Sequence, residues 1–249
     1  DYKRVQFTPD VLPSDILGFS MYNSATKEFE YKAGSVFCNL FLADEINRTS
    51  PKTQSALLEV MEEGTATVDG VTRKLPEPFI VIATENPYGS SGTQMLPESQ
   101  LDRFMVCLSM GYPSHADAVQ ILKGNAAKPL NNVQEIMNID ELVELRRMSN
   151  DLYVKDEIYE YIVNIVESTR KLDIFSMGAS PRGTIALLRM AKAMAVVDGR
   201  DYVTALDVQS VVKDTLGHRV KLSARGKAQG LDMVHAMYNV LGQVTAPRI

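Results

Sequence analysis

The stretch Val36-Phe37-Cys38-Asn39-Leu40-Phe41-Leu42-Ala43-Asp44-Glu45 is an apolar run closed by two adjacent carboxylates. A nearly continuous run of this kind suits a strand covered on both faces in a parallel sheet. Open α/β sheets bind ligands at the carboxyl ends of their strands, so two acids there are placed to hold a hydrated Mg²⁺ on nucleotide phosphates. Asp44 could hold the ion through its water shell while Glu45 polarises a water for attack on a γ-phosphate. Adjacent acids also suit the first turn of a helix, where they favour the macrodipole, and the pair alone leaves both readings open.

Outward from this run, residues 1 to about 112 alternate short apolar segments with helical or turn-rich ones, the pattern of a parallel sheet with crossovers. Strands are expected at Lys3 to Phe7, Ser35 to Ala43, Phe79 to Ala83 and Arg103 to Leu108; only the first alternates. Thr49-Ser50-Pro51 marks the start of a helix with Ala56, Leu57, Val60 and Met61 on its apolar face, and Gly64 supplies the stop. Thr65 to Lys74 reads as a β-hairpin, because Asp69-Gly70 tolerates the positive φ of a type I′ turn and β-branched residues flank it. After Gly111-Tyr112-Pro113-Ser114 helical periodicity takes over, with helices expected at 115–124, 139–150, 156–172, 182–197, 204–216 and 227–241, and a loop from Asn125 to Asn138. The expected organisation is an α/β unit over 1–112 and a helical unit over 113–249.

Composition narrows the function classes. The 249 residues, 45% hydrophobic and 23% charged, suit one large or two modest globular domains. No apolar stretch reaches the roughly 18 residues of a membrane helix, and no signal-peptide apolar segment follows Asp1-Tyr2-Lys3-Arg4, so the cytoplasm is the expected compartment. A net charge of -5 lacks the basic footprint of a general nucleic-acid binder, which favours protein or nucleotide partners. Cys38 and Cys107 both sit in apolar strand-like runs and are expected to be small buried hydrophobes. His115, His218 and His235 lack metal-ligand spacing, and Met190, Met194, Met233 and Met237 recur at helical intervals suited to packing. The chain begins with Asp rather than Met, within a strand pattern, and is expected to be a piece of a longer product.

Three further segments carry polar groups suited to phosphate chemistry. In Ala83-Thr84-Glu85-Asn86-Pro87, Asn86 lies level with Asp44 and Glu45 if the strands are parallel neighbours, where it could orient an attacking water; alone it would be an ordinary turn asparagine. Arg103, in Leu101-Asp102-Arg103-Phe104, is either a solvated ion pair or an arginine finger reaching a nucleotide on a neighbouring subunit. Ser180-Pro181-Arg182-Gly183 opens a long helix, and Arg182 near its start favours anions.

Taken in order, the strand with Asp44-Glu45, Ala83-Thr84-Glu85-Asn86-Pro87, Leu101-Asp102-Arg103-Phe104 and Ser180-Pro181-Arg182 resemble AAA+ ATPases of the MoxR family, with similar spacing. Phe7 to Ile16, Leu42 to Arg48 and Pro51 to Glu59 resemble MoxR text in particular, and the resemblance extends over essentially the whole chain. It implies an α/β AAA+ core followed by an all-α lid, and ATP hydrolysis with Mg²⁺ in a homo-oligomeric ring, a hexamer, that remodels or matures a protein client. It also implies a von Willebrand factor A domain protein as a partner. By the same resemblance Asp44 and Glu45 are the Walker B acids, Asn86 is sensor 1, Arg103 the arginine finger and Arg182 the sensor 2 arginine. The 65–74 hairpin becomes the pre-sensor-1 insertion, residues around Pro9 to Tyr31 include the helix-2 insertion, and Arg48 is either an interface residue or an exposed ion pair.

One family element has no counterpart in these 249 residues: the Gly-x-x-x-x-Gly-Lys-Ser/Thr loop that cradles phosphates. Gly226-Lys227-Ala228 is the sole Gly-Lys pair, follows no expected strand and lacks the hydroxyl. In the family order 5-1-4-3-2 the strand feeding that loop lies between the strands expected at 103–108 and 79–83. The core is therefore expected to be incomplete, lacking the first strand and the Walker A loop, with a gap in the sheet or a direct pairing of those two strands in a non-family register. A truncated or non-hydrolysing interaction subunit without nucleotide affinity is the alternative function.

Overall fold

The computed structural model describes residues 1–86, 95–124 and 133–247. The chain divides into two compact units, Asp1–Met105 and Val106–Ile249.

The first unit is built on a three-stranded parallel sheet in the order β1 (Tyr2–Gln6), β4 (Leu40–Asp44), β7 (Ile80–Ala83). The register sets Tyr2 opposite Leu40 and Leu40 opposite Ile80, and carries Gln6 opposite Asp44 at the other end. Helix α1 (Pro13–Leu17) and an antiparallel hairpin, β2 (Gly18–Asn23) with β3 (Glu28–Ala33), lie between β1 and β4. Helix α2 (Pro51–Glu63) follows a 3₁₀ turn at Ile46–Arg48. Ser50 caps α2 by accepting the Thr53 N–H at 3.2 Å, Pro51 occupies its first turn, and Gly64 closes it in the left-handed region. The hairpin β5 (Thr65–Val68) and β6 (Val71–Lys74) turns at Asp69 (φ 53°) and Gly70 (φ 75°), the two positive φ values that a type I′ turn requires. Its core joins Phe41 and Ala43 of β4 to Ile16, Val36, Leu57 and Val60.

Three expectations for the sheet fail. The strand at Ser35 to Ala43 shortens to Leu40–Asp44, because the N–H groups of Ser35 and Val36 donate to Asp15 and Ile16 carbonyls instead of a sheet partner. Val36 and Cys38 are buried nonetheless, so their apolar character records packing near α1 rather than strand pairing. No strand forms at 103–108. Helix α3 (Glu98–Leu101) ends in a turn through Arg103, and the Cys107 N–H donates to the Asp214 carbonyl at 2.9 Å. A strand needs a neighbour to take its backbone groups; β7 lies at a sheet edge and 103–108 pairs with no strand, so neither the family register nor the direct pairing is formed. Cys107 is accordingly exposed rather than buried. Finally, β7 is not covered on both faces: Ile80 is 42% and Ile82 51% exposed.

The second unit is helical, with α4 (His115–Leu122), α5 (Ile139–Asp151), α6 (Asp156–Lys171), α7 (Pro181–Val197) and α8 (Ala205–Leu216). A short ribbon, β8 (Phe175–Met177) with β9 (Lys221–Leu222), has no counterpart in the periodicity. The helix expected at 227–241 is two helices, α9 (Ala224–Ala228) and α10 (Met233–Gln243). Gly230 at φ 71° ends one, and Asp232 caps the other by accepting the His235 N–H at 2.8 Å. The core packs Ile158, Ile162, Ile165, Leu187, Val208 and Leu216, each contributing roughly 1.5–3 kcal/mol by leaving water. Met237 joins that core and Met190, Met194 and Met233 pack against it, the packing role their spacing suggested. The expected loop at 125–138 lies outside the described residues over 125–132, and 133–138 carry no helix or strand.

Candidate nucleotide-hydrolysis site

Paired residues in a parallel sheet share a face, so Arg4, Leu42 and Ile82 form one row and Gln6 and Asp44 begin the next. Thr84, one residue past the last β7 pair, completes that row at the carboxyl edge, where its N–H donates to the Ala43 carbonyl at 2.9 Å. This is the sheet face on which Ile82 is exposed.

Asp44 is gripped from two sides. The Thr84 hydroxyl donates to its Oδ1 at 2.6 Å, and Arg4 donates to its Oδ2 from Nη2 at 2.6 Å and from Nε at 3.2 Å. The Thr84 hydrogen bond first, and then Arg4, hold the Asp44 carboxyl below the usual carboxylate range. Arg4 Nη2 also donates to Gln6 Oε1 at 3.0 Å, which orients the guanidinium along the strand.

Glu45 sits at the turn where the strand ends, at φ 55° and ψ 48°, a left-handed conformation uncommon for a residue with a side chain. Its N–H donates to Thr84 Oγ1 at 2.8 Å, and the Ile46 N–H donates to the Thr84 carbonyl at 3.0 Å. Arg48, in the following 3₁₀ turn, donates from Nη1 to Glu45 Oε2 at 2.7 Å.

Asn86 is brought alongside by Asn47, which is 2% exposed. Asn47 Oδ1 accepts the Asn86 N–H at 3.4 Å and its Nδ2 donates to the Asn86 carbonyl at 3.2 Å. Gln54 in turn fixes that 3₁₀ turn, its Nε2 donating to the Ile46 and Thr49 carbonyls, both at 3.2 Å. Between Thr84 and Asn86, burial pushes the Glu85 carboxyl up while the hydrogen bond from the Leu96 N–H, at 2.9 Å, opposes the shift.

Arg103 is held at the other end of α2. Arg103 pairs with Glu62, in the last turn of α2, at 3.4 Å. The thirteen residues of α2 span about 20 Å. Arg182 belongs to the second unit, exposed in the first turn of α7 behind the Ser180 cap, which accepts the Gly183 N–H at 3.4 Å. Thr84, Arg4 and Asn47 were missed as site residues in the sequence. Thr84 lies two residues before Asn86, and its importance follows from the register, which the sequence pattern does not specify.

The donor set fits magnesium nucleotide in part. Mg²⁺ keeps most of its waters and takes one or two carboxylates plus substrate phosphates, a role that ionised Asp44 on the open face suits. Among the described residues no group of three or more His, Cys, Asp or Glu could hold a metal alone, and the sequence carries no Gly-Lys-Ser/Thr cradle for the phosphates.

Comparison with known proteins gives this geometry its family. Residues 1–106 match the model of the ATPase family associated with various cellular activities (AAA), and residues 167–234 match the AAA lid domain. Chaperone MoxR1 of Mycobacterium tuberculosis is 37% identical over 257 residues, covering 100% of this chain and 68% of its own. The chain belongs to the MoxR family of AAA+ ATPases. The uncharacterized protein YeaC of Bacillus subtilis is 46% identical over 248 residues, spanning 99% of this chain and 78% of its own. The crystal structure of a Cytophaga hutchinsonii protein assigned as an ATPase superposes with a TM-score of 0.88 at 37% identity, over 100% of this chain and 78% of that one. The MoxR-family architecture of a parallel-sheet core and a helical lid is thus present here. Among the described residues no helix is long and apolar enough to cross a membrane.

Proposed function

We propose that this MoxR-family chain supplies the Walker B, sensor and lid elements of an ATP-hydrolysing machine that remodels or matures a protein client. The observation that carries the reading is the pair Asp44-Glu45 at the carboxyl end of the central strand, with Asn86 tied alongside through Asn47. Asp44 would hold hydrated Mg²⁺, which when bound neutralises charge on the phosphates. Glu45 acts as the base that orients the attacking water, and Asn86 helps to position it. Arg103 serves a neighbouring subunit as the arginine finger, and Arg182 reads the nucleotide from the lid. The proposal extends to a hexameric ring in the cytoplasm, with the α/β unit as motor over 1–112, the lid over 113–249, and a von Willebrand factor A domain protein as partner.

A second reading is a non-hydrolysing interaction subunit. It is favoured by the ion pairs that already engage both acids, Arg4 with Asp44 at 2.6 Å and Arg48 with Glu45 at 2.7 Å. ATP binding and turnover, measured for the 249-residue chain and for the intact gene product, separate the two. Turnover by the intact product supports hydrolysis; nucleotide binding by neither form overturns it.

A further inference from the structure

We infer that Thr84 is a positioning residue for both acids, an assignment that rests on the hydrolytic reading above. All three polar groups of Thr84 are committed to the segment Ala43 to Ile46, in four hydrogen bonds. Its N–H donates to the Ala43 carbonyl at 2.9 Å, its carbonyl accepts the Ile46 N–H at 3.0 Å, its hydroxyl donates to Asp44 Oδ1 at 2.6 Å, and the same oxygen accepts the Glu45 N–H at 2.8 Å. A hydroxyl has one proton, so donating to the carboxylate leaves its lone pairs free to face the Glu45 amide. The two side-chain bonds are therefore mutually consistent, and no apolar isostere can make either.

The consequence concerns orientation. Asp44 is free to present only the lone pairs that Thr84 and Arg4 leave, which sets the direction in which its carboxylate faces the open side of the sheet. Glu45 is held at φ 55°, a backbone conformation that a residue with a side chain keeps only where its surroundings demand it. The Glu45 amide bond to Thr84 is one of those demands. Thr84 also lies two residues before Asn86, so a displacement of β7 that moves Asn86 moves both acids with it. The sensor strand and the two acids are joined by backbone pairing, and the Thr84 hydroxyl adds the one side-chain link that reaches both the Asp44 carboxylate and the Glu45 amide.

The test uses the intact protein with Thr84→Val, which keeps shape and β-branching but removes the hydroxyl, and Thr84→Ser, which restores it. Thr84→Val is expected to lower kcat by about tenfold or more, the effect of losing a hydrogen bond to a charged group, with nucleotide Kd changed less than threefold. Thr84→Ser is expected to recover most of the rate. Independently of turnover, amide exchange at Glu45 followed by NMR in the 249-residue chain is expected to accelerate in Thr84→Val and to stay near wild type in Thr84→Ser. A kcat within twofold of wild type for Thr84→Val, or Glu45 exchange unchanged by it, overturns the assignment. If the parent protein itself has no turnover, the hydrolytic reading fails, while the exchange measurement still decides whether Thr84 holds the Glu45 turn.

Discussion

Two clusters in this chain use the same three residue types to different ends. In the second unit Asp207, 4% exposed, accepts Arg200 Nη1 at 2.7 Å and the Thr204 hydroxyl at 2.8 Å, with Arg200 Nη2 closing a bidentate fork. In the first unit Asp44, with its side chain 22% exposed, accepts Arg4 and the Thr84 hydroxyl. Asp207 also accepts the Thr204 N–H and belongs to the capping box of α8, so every partner it has is local and lies within a packed unit. Asp44 draws its partners from the two strands on either side, at the open carboxyl edge of the sheet. An Asp–Arg–Thr cluster closed off from water fixes a fold, whereas the same cluster at a strand end leaves its carboxylate partly open to solvent. Burial and the source of the partners separate the two roles.

The comparison can be broken in four ways. The largest effect is expected at the strand end: Glu45→Gln in the intact protein should abolish ATP turnover, by at least about 10²-fold, while nucleotide binding and the thermal midpoint stay near wild type. Turnover and binding assays on the same preparation check this. Next, Arg200→Ala strips a nearly buried carboxylate of its counter-charge and should destabilise the second unit by about 2–3 kcal/mol in chemical denaturation, with no direct effect on the acids at Asp44 and Glu45. A loss below about 0.5 kcal/mol would remove the structural role given to the buried cluster.

The third way is pH. Burial alone would raise Asp207, but the hydrogen bonds from Arg200 and Thr204 outweigh it and hold the carboxyl below its ordinary value. A depressed folded-state pKa means that the stabilisation is present above the unfolded value, about 3.9, and is lost as pH falls through the folded one. Wild type should therefore lose this contribution progressively below about pH 4, and Asp207→Asn should flatten that acid limb. Smallest of all is Arg4→Gln. Arg4 is solvent-exposed on an edge strand, so its removal should leave the denaturation midpoint unchanged while altering the Mg²⁺ dependence of nucleotide binding. A clear loss of stability would make the Arg4–Asp44 pair structural after all.

What was legible in the sequence followed local chemistry. Ser50-Pro51 and Gly64 bracketed α2, Asp69-Gly70 located a hairpin turn, and Ser180-Pro181 opened α7, because caps and turns depend on residues within a few positions of one another. Gly230 and Asp232 carried the same kind of signal for the break between α9 and α10, overlooked because helical periodicity continued through it. The error at 103–108 was different in kind. Its apolar residues match a strand as well as those of Leu40–Asp44 do, but a strand is a pairing event, and Cys107 donates instead to a helical carbonyl. Likewise Thr84 and Asn47 carry no special spacing; one is aligned by sheet register and the other reaches across 39 residues to Asn86.

By itself the sequence determined the chemistry available: which residues are acids, where they follow an apolar run, where helices start, and which turn tolerates positive φ. Those properties reside in single residues and their near neighbours. Only the tertiary structure decided which apolar run became a strand, which face of the sheet stayed open, and that a threonine at the end of a neighbouring strand would bond the Asp44 carboxylate and the Glu45 amide. Each of those outcomes depends on backbone groups finding partners far away in the chain, and local pattern does not encode which partner arrives.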